Sequence, residues 1–311
     1  MATKKVLHIA NGDDIFDRLQ TLKIPGEVLI WREMLCEGPT TQDITSAEFR
    51  DMRQQFLEQT YGISAADYHN EFISELVKLD TLNSYDEIIL WFEFDLFSHI
   101  NMLAAISHIV EREDQVPIHL VCSGWVKGEH ELLPLSELNQ KQFQEHYQRK
   151  MLLTQEDLET ASLIWEIYCS KNPLRIKAEI KKTSNFQYLS SCLRAHIERF
   201  PNARTGLNSL ETNVLKLVEQ HSIKTENQLL GYALKYQGYY GYDDVQMQRV
   251  LDKVSPFISE TQEGIKLSQK GEQALGQSKN FYQELREVEY FGGAQKYQFL
   301  YDPDSHTLMK L

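Results

Sequence analysis

The sequence predicts an α/β fold whose N-terminal part is a Rossmann-like, mainly parallel sheet with flanking helices. The apolar run at residues 88–92 is flanked by polar residues, which is typical of a strand buried on both faces. Further strand-like runs at residues 6–10, 27–31 and 117–122 alternate with segments of helical periodicity. This alternation favours parallel strands joined by right-handed crossovers.

Helical periodicity predicts the elements that join these strands. An Asn-Gly turn with two following carboxylates introduces the first helix, and Pro25-Gly26 ends it. Two further helices are predicted at residues 46–60 and 64–80, before the central strand. Another helix begins at Leu96, directly after that strand.

The chain is long enough to require more than one hydrophobic core, because 311 residues exceed the usual size of a single domain. Residues 1–135 are predicted to form the α/β domain, and residues 136–202 a mainly helical region. In residues 203–311, three amphipathic segments precede a hairpin pattern. This is the order of elements in a winged-helix module, and a second hairpin is predicted near the end.

Composition narrows the class of protein. Hydrophobic residues make up 42% and charged residues 25%, as in ordinary globular proteins. No apolar run reaches the roughly 20 residues that span a bilayer, so we expect no membrane segment. The four cysteines are scattered without a zinc or disulfide spacing, which favours the reducing cytoplasm. Walker, GxGxxG, HExxH and GxSxG motifs are absent from the sequence.

The charge balance argues against a nucleic-acid partner. The net charge is -13, and residues 203–311 carry 12 Lys and Arg against 14 Asp and Glu. Phosphate contacts dominate nucleic-acid affinity, so this balance disfavours DNA binding by the predicted winged helix. Winged helices also bind proteins, and the sequence favours a protein partner for this module.

Polar side chains follow three of the predicted strands. They are Asn11, Asp13, Arg32, Glu37, Glu93 and Asp95. If the strands are parallel neighbours, their carboxyl ends meet at one edge of the sheet, where open α/β sheets bind ligands. The sequence therefore predicts an acidic crevice that contains an arginine.

Each residue type in this crevice suits a particular role. The planar guanidinium of Arg32 matches a phosphate or carboxylate, with Asn11 and Glu37 as further substrate-binding groups. Asp13, Glu93 and Asp95 are the candidate catalytic acids or bases. Glu93 and Asp95 are also candidate ligands of Mg²⁺, which prefers carboxylate oxygens.

Structural alternatives exist for all of these residues. Asp13 can cap a helix, and Arg32 can belong to a structural ion pair. Glu93 and Asp95 can do no more than begin the next helix, where anions favour its dipole. His8 lies inside a strand and is expected to be a core histidine. The prediction of a site therefore depends on the convergence of these groups, and no single residue is sufficient for it.

Three motifs resemble an uncharacterised bacterial family, domain of unknown function eighteen-thirty-five. They are residues 8–13, 31–39 and 90–96. Residues 200–208 are similar to the linker of this family, so the resemblance covers nearly the whole chain. Asp14 and Phe94 stand where many members have Ser and His. Phe94 cannot transfer a proton, and the family has no established activity, so the resemblance implies the location of a site and no reaction.

Two hypotheses follow from the sequence. In the first, the α/β domain binds a phosphate-bearing small molecule, specifically a nucleotide, and acts as a metal-assisted hydrolase or transferase. In the second, the protein is a non-enzymatic regulator or adaptor. The crevice is then a ligand sensor or an ion-pair cluster, and residues 203–311 contact a protein partner.

Overall fold

A computed structural model of the chain describes residues 4–112, 116–180 and 185–311. These residues divide into two compact units. The first unit consists of residues 4–170, 185–189 and 291–293, and the second of residues 171–180, 190–290 and 294–311. Within these ranges no helix combines the length and the apolar character that crossing a bilayer demands.

Strands and helices alternate along the first unit. Its strands are β1 (Val6–Asn11), β2 (Glu27–Trp31), β3 (Gly38–Pro39), β4 (Glu87–Phe92), β5 (Ile118–Cys122) and β6 (Met151–Leu152). Its helices are α1 (Asp13–Thr21), α2 (Ala47–Tyr61), α3 (Ala65–Tyr68), α4 (Ser74–Leu76), α5 (Leu96–Glu111), α6 (Gln140–Gln148) and α7 (Gln155–Cys169). A π-helical segment (His69–Ile73) precedes α4, and a 3₁₀ segment (Val77–Ser84) follows it.

Five strands form one mostly parallel sheet in the order β2-β1-β4-β5-β6. The β1 strand pairs in parallel with β2 and β4, β4 pairs in parallel with β5, and β6 is antiparallel. Strand β2 therefore lies on one side of β1, and β4 and β5 follow in order on its other side. The carboxyl ends of four strands share one edge, as the sequence predicted for an α/β fold.

The central position of β4 explains its continuous apolar sequence, since all six of its residues are buried. Alternate residues point to opposite faces, and Ile89 and Trp91 join one core with α1 and α6. In that core, the Trp91 ring stacks on Phe143 of α6 with 5.0 Å between centroids. Helix α5 is buried along most of its length and packs against α7.

The predicted helix at residues 64–80 is divided into α3, the π-helical segment, α4 and the beginning of the 3₁₀ segment. Tyr68 and Phe72 are nonetheless buried at helical spacing, and the edge of Phe72 packs on Trp31 with 5.3 Å between centroids. Apolar spacing reports which side chains face the core. It does not report whether the backbone bonds follow the α, π or 3₁₀ pattern, so the break could not be predicted.

The β3 strand forms a long-range pair that periodicity could not predict. It pairs in parallel with β9 (Tyr290–Gly292), so that Gly38 lies opposite Phe291 and Pro39 opposite Gly292. Gly292 has a φ of 64°, and a Cβ there would collide with Tyr168 of α7. Residues 291–293 are therefore part of the first unit, although they follow almost the whole of the second in sequence.

The elements after residue 170 are mainly helices and short hairpins. The helices are α8 (Ile176–Glu179), α9 (Leu189–Ile197), α10 (Ser209–Gln220), α11 (Glu226–Lys235), α12 (Asp244–Val254), α13 (Gln269–Leu275) and α14 (Tyr282–Leu285). The remaining strands are β7 (Ile258–Thr261), β8 (Gly264–Leu267), β10 (Ala294–Gln295), β11 (Phe299–Asp302) and β12 (Thr307–Lys310). Helices α10, α11 and α12 pack on one another, and β7–β8 and β11–β12 form antiparallel hairpins.

Candidate functional site

The turns after β1 and β2 are joined through the side chain of Asn101 in α5. Its Nδ2 donates to Oδ1 of Asn11 at 3.0 Å and to the carbonyl of Glu33 at 2.6 Å. Its Oδ1 accepts from the Leu35 N–H at 3.1 Å. Asn11 in turn donates to the hydroxyl of Ser98 at 3.1 Å. The amide of Asn11 therefore bonds within the protein, and Asn101, which sequence reasoning missed, positions both turns.

Asp13 and Arg32 lie together, as the predicted convergence of β1 and β2 requires. Nη2 and Nε of Arg32 donate to the two carboxylate oxygens of Asp13 at 2.7 and 2.9 Å. Nη1 of Arg32 donates to the carbonyl of Glu71 at 3.0 Å. Hydrogen bonding to Arg32 lowers the pKa of Asp13. The pair has the geometry of an ion pair, which was one of the alternatives for Arg32.

The segment after β2 is organised by a buried arginine of α2. Nε and Nη2 of Arg53 donate to the carboxylate of Glu33 at 3.0 and 2.8 Å, and Tyr68 donates to the same carboxylate at 2.8 Å. Nη1 of Arg53 donates to the carbonyl of Glu37 at 2.6 Å. The Glu37 carboxylate accepts a hydrogen bond from the Tyr61 hydroxyl. Glu37 is thus held by protein groups on both its backbone and its side chain.

Glu93 follows β4 and is held by groups from the segment after β5. Its Oε2 accepts from the hydroxyl of Ser123 at 2.6 Å and from the Leu135 N–H at 2.7 Å. Burial, with a smaller contribution from the charge of Asp95, raises the pKa of Glu93 to about 7. Both protonation states are then populated near neutral pH, which suits a general acid or base.

Asp95 caps α5, and its Oδ1 accepts from the Ser98 N–H at 2.7 Å. Burial raises the pKa of Asp95 to about 6. One turn later, Nδ1 of His99 lies 2.9 Å from the Asp95 carbonyl oxygen. Burial lowers the pKa of His99 to about 4, although backbone carbonyls oppose this shift, so the ring is neutral at physiological pH.

A cavity of about 630 Å³ lies at this edge of the first unit. Its wall includes His99, Cys122, Trp125, Lys127, Arg149 and Tyr188. Burial, followed by the charges of Glu93 and Asp95, raises the pKa of the Cys122 thiol. Cys122 directly precedes Ser123, which donates to Glu93, and His99 contacts the Asp95 carbonyl, so two wall residues connect the cavity to the carboxylates. None of the six predicted site residues lines this cavity itself: its wall lacks Asn11, Asp13, Arg32, Glu37, Glu93 and Asp95.

The loop after β5 forms one side of the cavity and is held by Tyr188. The Tyr188 hydroxyl accepts from the Trp125 N–H at 3.0 Å, and its ring lies 5.9 Å from that of Phe94. Gly124 has a φ of 143°, and a Cβ there would collide with the Tyr188 side chain. A glycine is therefore required at this close approach.

The candidate residues form two sets. Asp13 pairs with Arg32 after β1 and β2. Glu93 and Asp95 follow β4 and accept hydrogen bonds from other groups, namely Ser123, Leu135 and Ser98. Sequence reasoning missed Ser123, the partner of Glu93, because a serine after a strand is common and the contact spans 30 positions. His8 is buried, accepts from Trp91 Nε1 at 3.0 Å and lies in the core, as expected.

In the described part of the chain, no three or more His, Cys, Asp or Glu side chains are placed to hold a metal ion. Magnesium in phosphate-processing enzymes is often held by one or two carboxylates, waters and the phosphates of the substrate. The chemistry of Glu93 and Asp95 fits that mode, and their role as magnesium ligands stays a prediction.

Searches against protein-family models and against curated proteins find no match to this sequence. The resemblance of the three motifs to domain of unknown function eighteen-thirty-five therefore stays a prediction.

Proposed function

We propose that the first unit is the catalytic domain of an enzyme that hydrolyses a phosphate-bearing small molecule or transfers a group from it. One observation carries the proposal: Glu93 and Asp95, two carboxyls with raised pKa values, follow the central strand close to a cavity. The cavity is lined by His99, which contacts the Asp95 carbonyl, and by Cys122, which directly precedes Ser123, the hydrogen-bond partner of Glu93. The strand order reverses between β1 and β4, which supports a Rossmann-like fold with its ligand at this edge.

Glu93 is the proposed acid–base group of the reaction. In its ionised form it removes the proton of the attacking water or alcohol as the oxygen bonds to phosphorus. The ester or anhydride bond to phosphorus breaks, and the protonated Glu93 returns the proton to the leaving oxygen. Asp95 ionises at lower pH than Glu93, and its charge contributes to the raised pKa of Glu93. Magnesium held by both carboxylates would neutralise the charge of the phosphates.

Arg32 fits this proposal less directly than the sequence suggested. Its guanidinium already donates to Asp13 and to the carbonyl of Glu71, so binding a phosphate would require these bonds to be exchanged. Asn11 and Glu37 are also bonded to protein groups. We propose that these three residues and Asp13 shape the edge of the sheet next to the reacting groups.

Thermal shift and phosphate release test the proposal together. The intact protein is incubated with pyrophosphate and with nucleoside di- and triphosphates, with and without Mg²⁺. We expect one of these compounds to raise the melting temperature and to release phosphate. Glu93→Gln should remove the turnover, whereas Glu48→Gln, an exposed change on α2, should not. Absence of stabilisation by every compound, or unchanged turnover in Glu93→Gln, would count against the proposal.

A second candidate function rests on the second unit. Three mutually packed helices, α10 to α12, precede the β7–β8 hairpin, an order that supports a winged-helix module. Such a module could make the protein a regulator or adaptor, with a protein partner bound through residues 203–311. A partner that copurifies with the whole chain and is lost after charge reversal at exposed positions of α12 would support this function. A salt-dependent gel shift with DNA would instead support nucleic-acid binding.

Membership of the bacterial family named above and a cytoplasmic location are part of the same proposal. The first rests on the three motifs in residues 8–13, 31–39 and 90–96. The second rests on the scattered spacing of the four cysteines.

A further inference from the structure

Trp125 is an unusual feature of the cavity wall. Its surface is 62% exposed, whereas Trp31, Trp91 and Trp165 are buried. The backbone at Trp125 is held by the Tyr188 hydroxyl at 3.0 Å, and Gly124 packs tightly against the same tyrosine. A large aromatic ring is therefore presented to solvent at the cavity from a fixed backbone, which suits stacking on a planar ligand.

Positive charge is concentrated in the same wall. Lys127, Lys141 and Arg149 line the cavity, and Glu145 is the one carboxylate among its described lining residues. Lys141 and Glu145 approach each other at 4.0 Å. Lys127 and Arg149 form no ion pair with any residue in the described ranges. In a chain of net charge -13, this local excess of cations indicates an anionic ligand.

The cavity also offers neutral polar groups and sufficient volume. Asn185 and Gln187 both line it. Nδ2 of Asn185 donates to Asp157 at 2.8 Å, and the amide of Gln187 can donate and accept hydrogen bonds at the edge of a base. Its volume of about 630 Å³ lies within the range of small-molecule sites, about 300–1,000 Å³. A stacking ring, two available cations and amide groups together match a ligand with a planar polar ring and a phosphate.

We propose that this cavity binds a nucleotide, whose base stacks on Trp125 and whose phosphates contact Lys127 and Arg149. This inference rests on the proposed function, since it names the substrate class of that same site. The wall residues Cys122 and His99 connect the cavity to the acid–base pair, because Cys122 precedes Ser123, the partner of Glu93, and His99 contacts the Asp95 carbonyl. A bound nucleotide would therefore lie close to this pair. The anion-binding role that the sequence assigned to Arg32 passes to Lys127 and Arg149.

Quenching of tryptophan fluorescence by iodide tests binding without requiring turnover. Iodide reaches exposed tryptophans, so the quenched signal reports Trp125. ADP should protect this signal in both the wild-type protein and Glu93→Gln. Pyrophosphate should compete with ADP without protecting the ring, and adenosine should protect only at higher concentration. Failure of ADP to protect at millimolar concentration would overturn the proposal.

Calorimetric titration of variants separates the base from the phosphates. Trp125→Ala should weaken ADP binding about tenfold, because the stacking surface is lost, and should leave pyrophosphate binding unchanged. Lys127→Gln and Arg149→Gln should each weaken both ligands about tenfold. Arg50→Gln, an exposed arginine of α2 outside the cavity, is the matched control and should bind both normally. Wild-type affinity of Trp125→Ala for ADP would overturn base stacking.

The two proposals can fail separately. If ADP binds through Trp125 but no phosphate compound is turned over, the nucleotide site stands and the enzyme function falls. If a phosphate compound is turned over through Glu93 with the same KM in wild type and Trp125→Ala, the enzyme function stands and the nucleotide site falls.

Discussion

The hydroxyl of Ser123 donates a hydrogen bond of 2.6 Å to Oε2 of Glu93, and the Leu135 N–H donates to the same oxygen at 2.7 Å. Both bonds stabilise the ionised carboxylate, whereas burial and the charge of Asp95 oppose ionisation. The opposing effects leave the pKa of Glu93 at about 7. The ionisation of Glu93 is therefore sensitive to the loss of a single hydroxyl group.

Ser123→Ala should raise the pKa of Glu93 above 7, because it removes a bond that favours the charged form. The side-chain carboxyl carbon of Glu93, followed by ¹³C NMR during a pH titration, measures this change. Ser107→Ala is the control, since Ser107 is a buried serine of α5 whose hydroxyl has no hydrogen-bond partner among the described residues. A pKa of Glu93 that stays constant or falls in Ser123→Ala would show that the serine bond is unimportant.

Glu93→Gln should stabilise the protein above neutral pH. The carboxyl pKa is 4.5 in the unfolded chain and about 7 in the folded one, so the folded state holds a proton that the unfolded state has released. Stability is therefore lost as pH rises from 4.5 to 7. Glutamine does not ionise, so Glu93→Gln does not lose stability in this way. Its free energy of unfolding should exceed that of wild type by about 3 kcal/mol at pH 8 and differ little from it at pH 4.

Urea denaturation of wild type and Glu93→Gln at both pH values measures the effect. The amide oxygen of glutamine can accept both bonds, because they go to one oxygen of Glu93. Glu48→Gln should show no such dependence on pH, since Glu48 is exposed. Equal destabilisation of Glu93→Gln at both pH values would contradict a raised pKa.

Arg53→Met should lower the free energy of unfolding by about 3–5 kcal/mol, because it leaves Glu33 buried without its ion-pair partner. The side chains of both residues are fully buried in the folded protein. Arg50→Met, one turn away on the exposed face of α2, should change stability by less than about 0.5 kcal/mol. Similar denaturation midpoints for the two variants would mean that the buried pair has little net effect.

Asn101→Ala should cost about 2–3 kcal/mol of stability, because the amide contacts Asn11, Glu33 and Leu35. The backbone amide of Leu35 should also exchange its hydrogen faster with solvent, because its N–H loses its acceptor. Ser107→Ala on the same helix serves as the comparison and should be nearly neutral. If exchange at Leu35 is unaffected, the turn after β2 is held by other contacts.

Glu289→Gln should destabilise the second unit at neutral pH. Burial alone would raise the pKa of Glu289, but the ammonium groups of Lys296 and Lys253 outweigh it and lower the pKa to about 2. The ionised carboxylate of Glu289 therefore stabilises the folded state. This stabilisation is complete above the unfolded pKa of 4.5 and is lost as pH falls towards 2. The variant should lose about 3 kcal/mol at pH 7 and converge with wild type near pH 2.

Melting temperatures between pH 2 and pH 7 would follow this convergence. Glu260→Gln, an exposed change on β7, provides the matched comparison. A constant gap between Glu289→Gln and wild type over this range would contradict the lowered pKa.

Periodicity and apolar runs predicted the strands and the parallel sheet because burial on both faces leaves a direct pattern in the sequence. The convergence of Asp13 with Arg32 followed from parallel neighbours. Local pattern could not predict the cavity, since its wall combines segments near residues 122, 146 and 187. The contact of Ser123 with Glu93 and the bonds of Asn101 likewise depend on tertiary packing, which leaves no local repeat.

The pairing of Gly38 and Pro39 with β9 has a consequence for biosynthesis. The chain leaves the ribosome with its N-terminus first. Most of the first unit therefore emerges long before β9, the last of its strands. Until residue 293 has left the exit tunnel, β3 lacks this partner and the surface around Tyr168 that Gly292 covers stays open. We expect a nascent chain arrested after residue 200 to be cleaved by protease in the segment after β2, and one arrested well beyond residue 293 to resist.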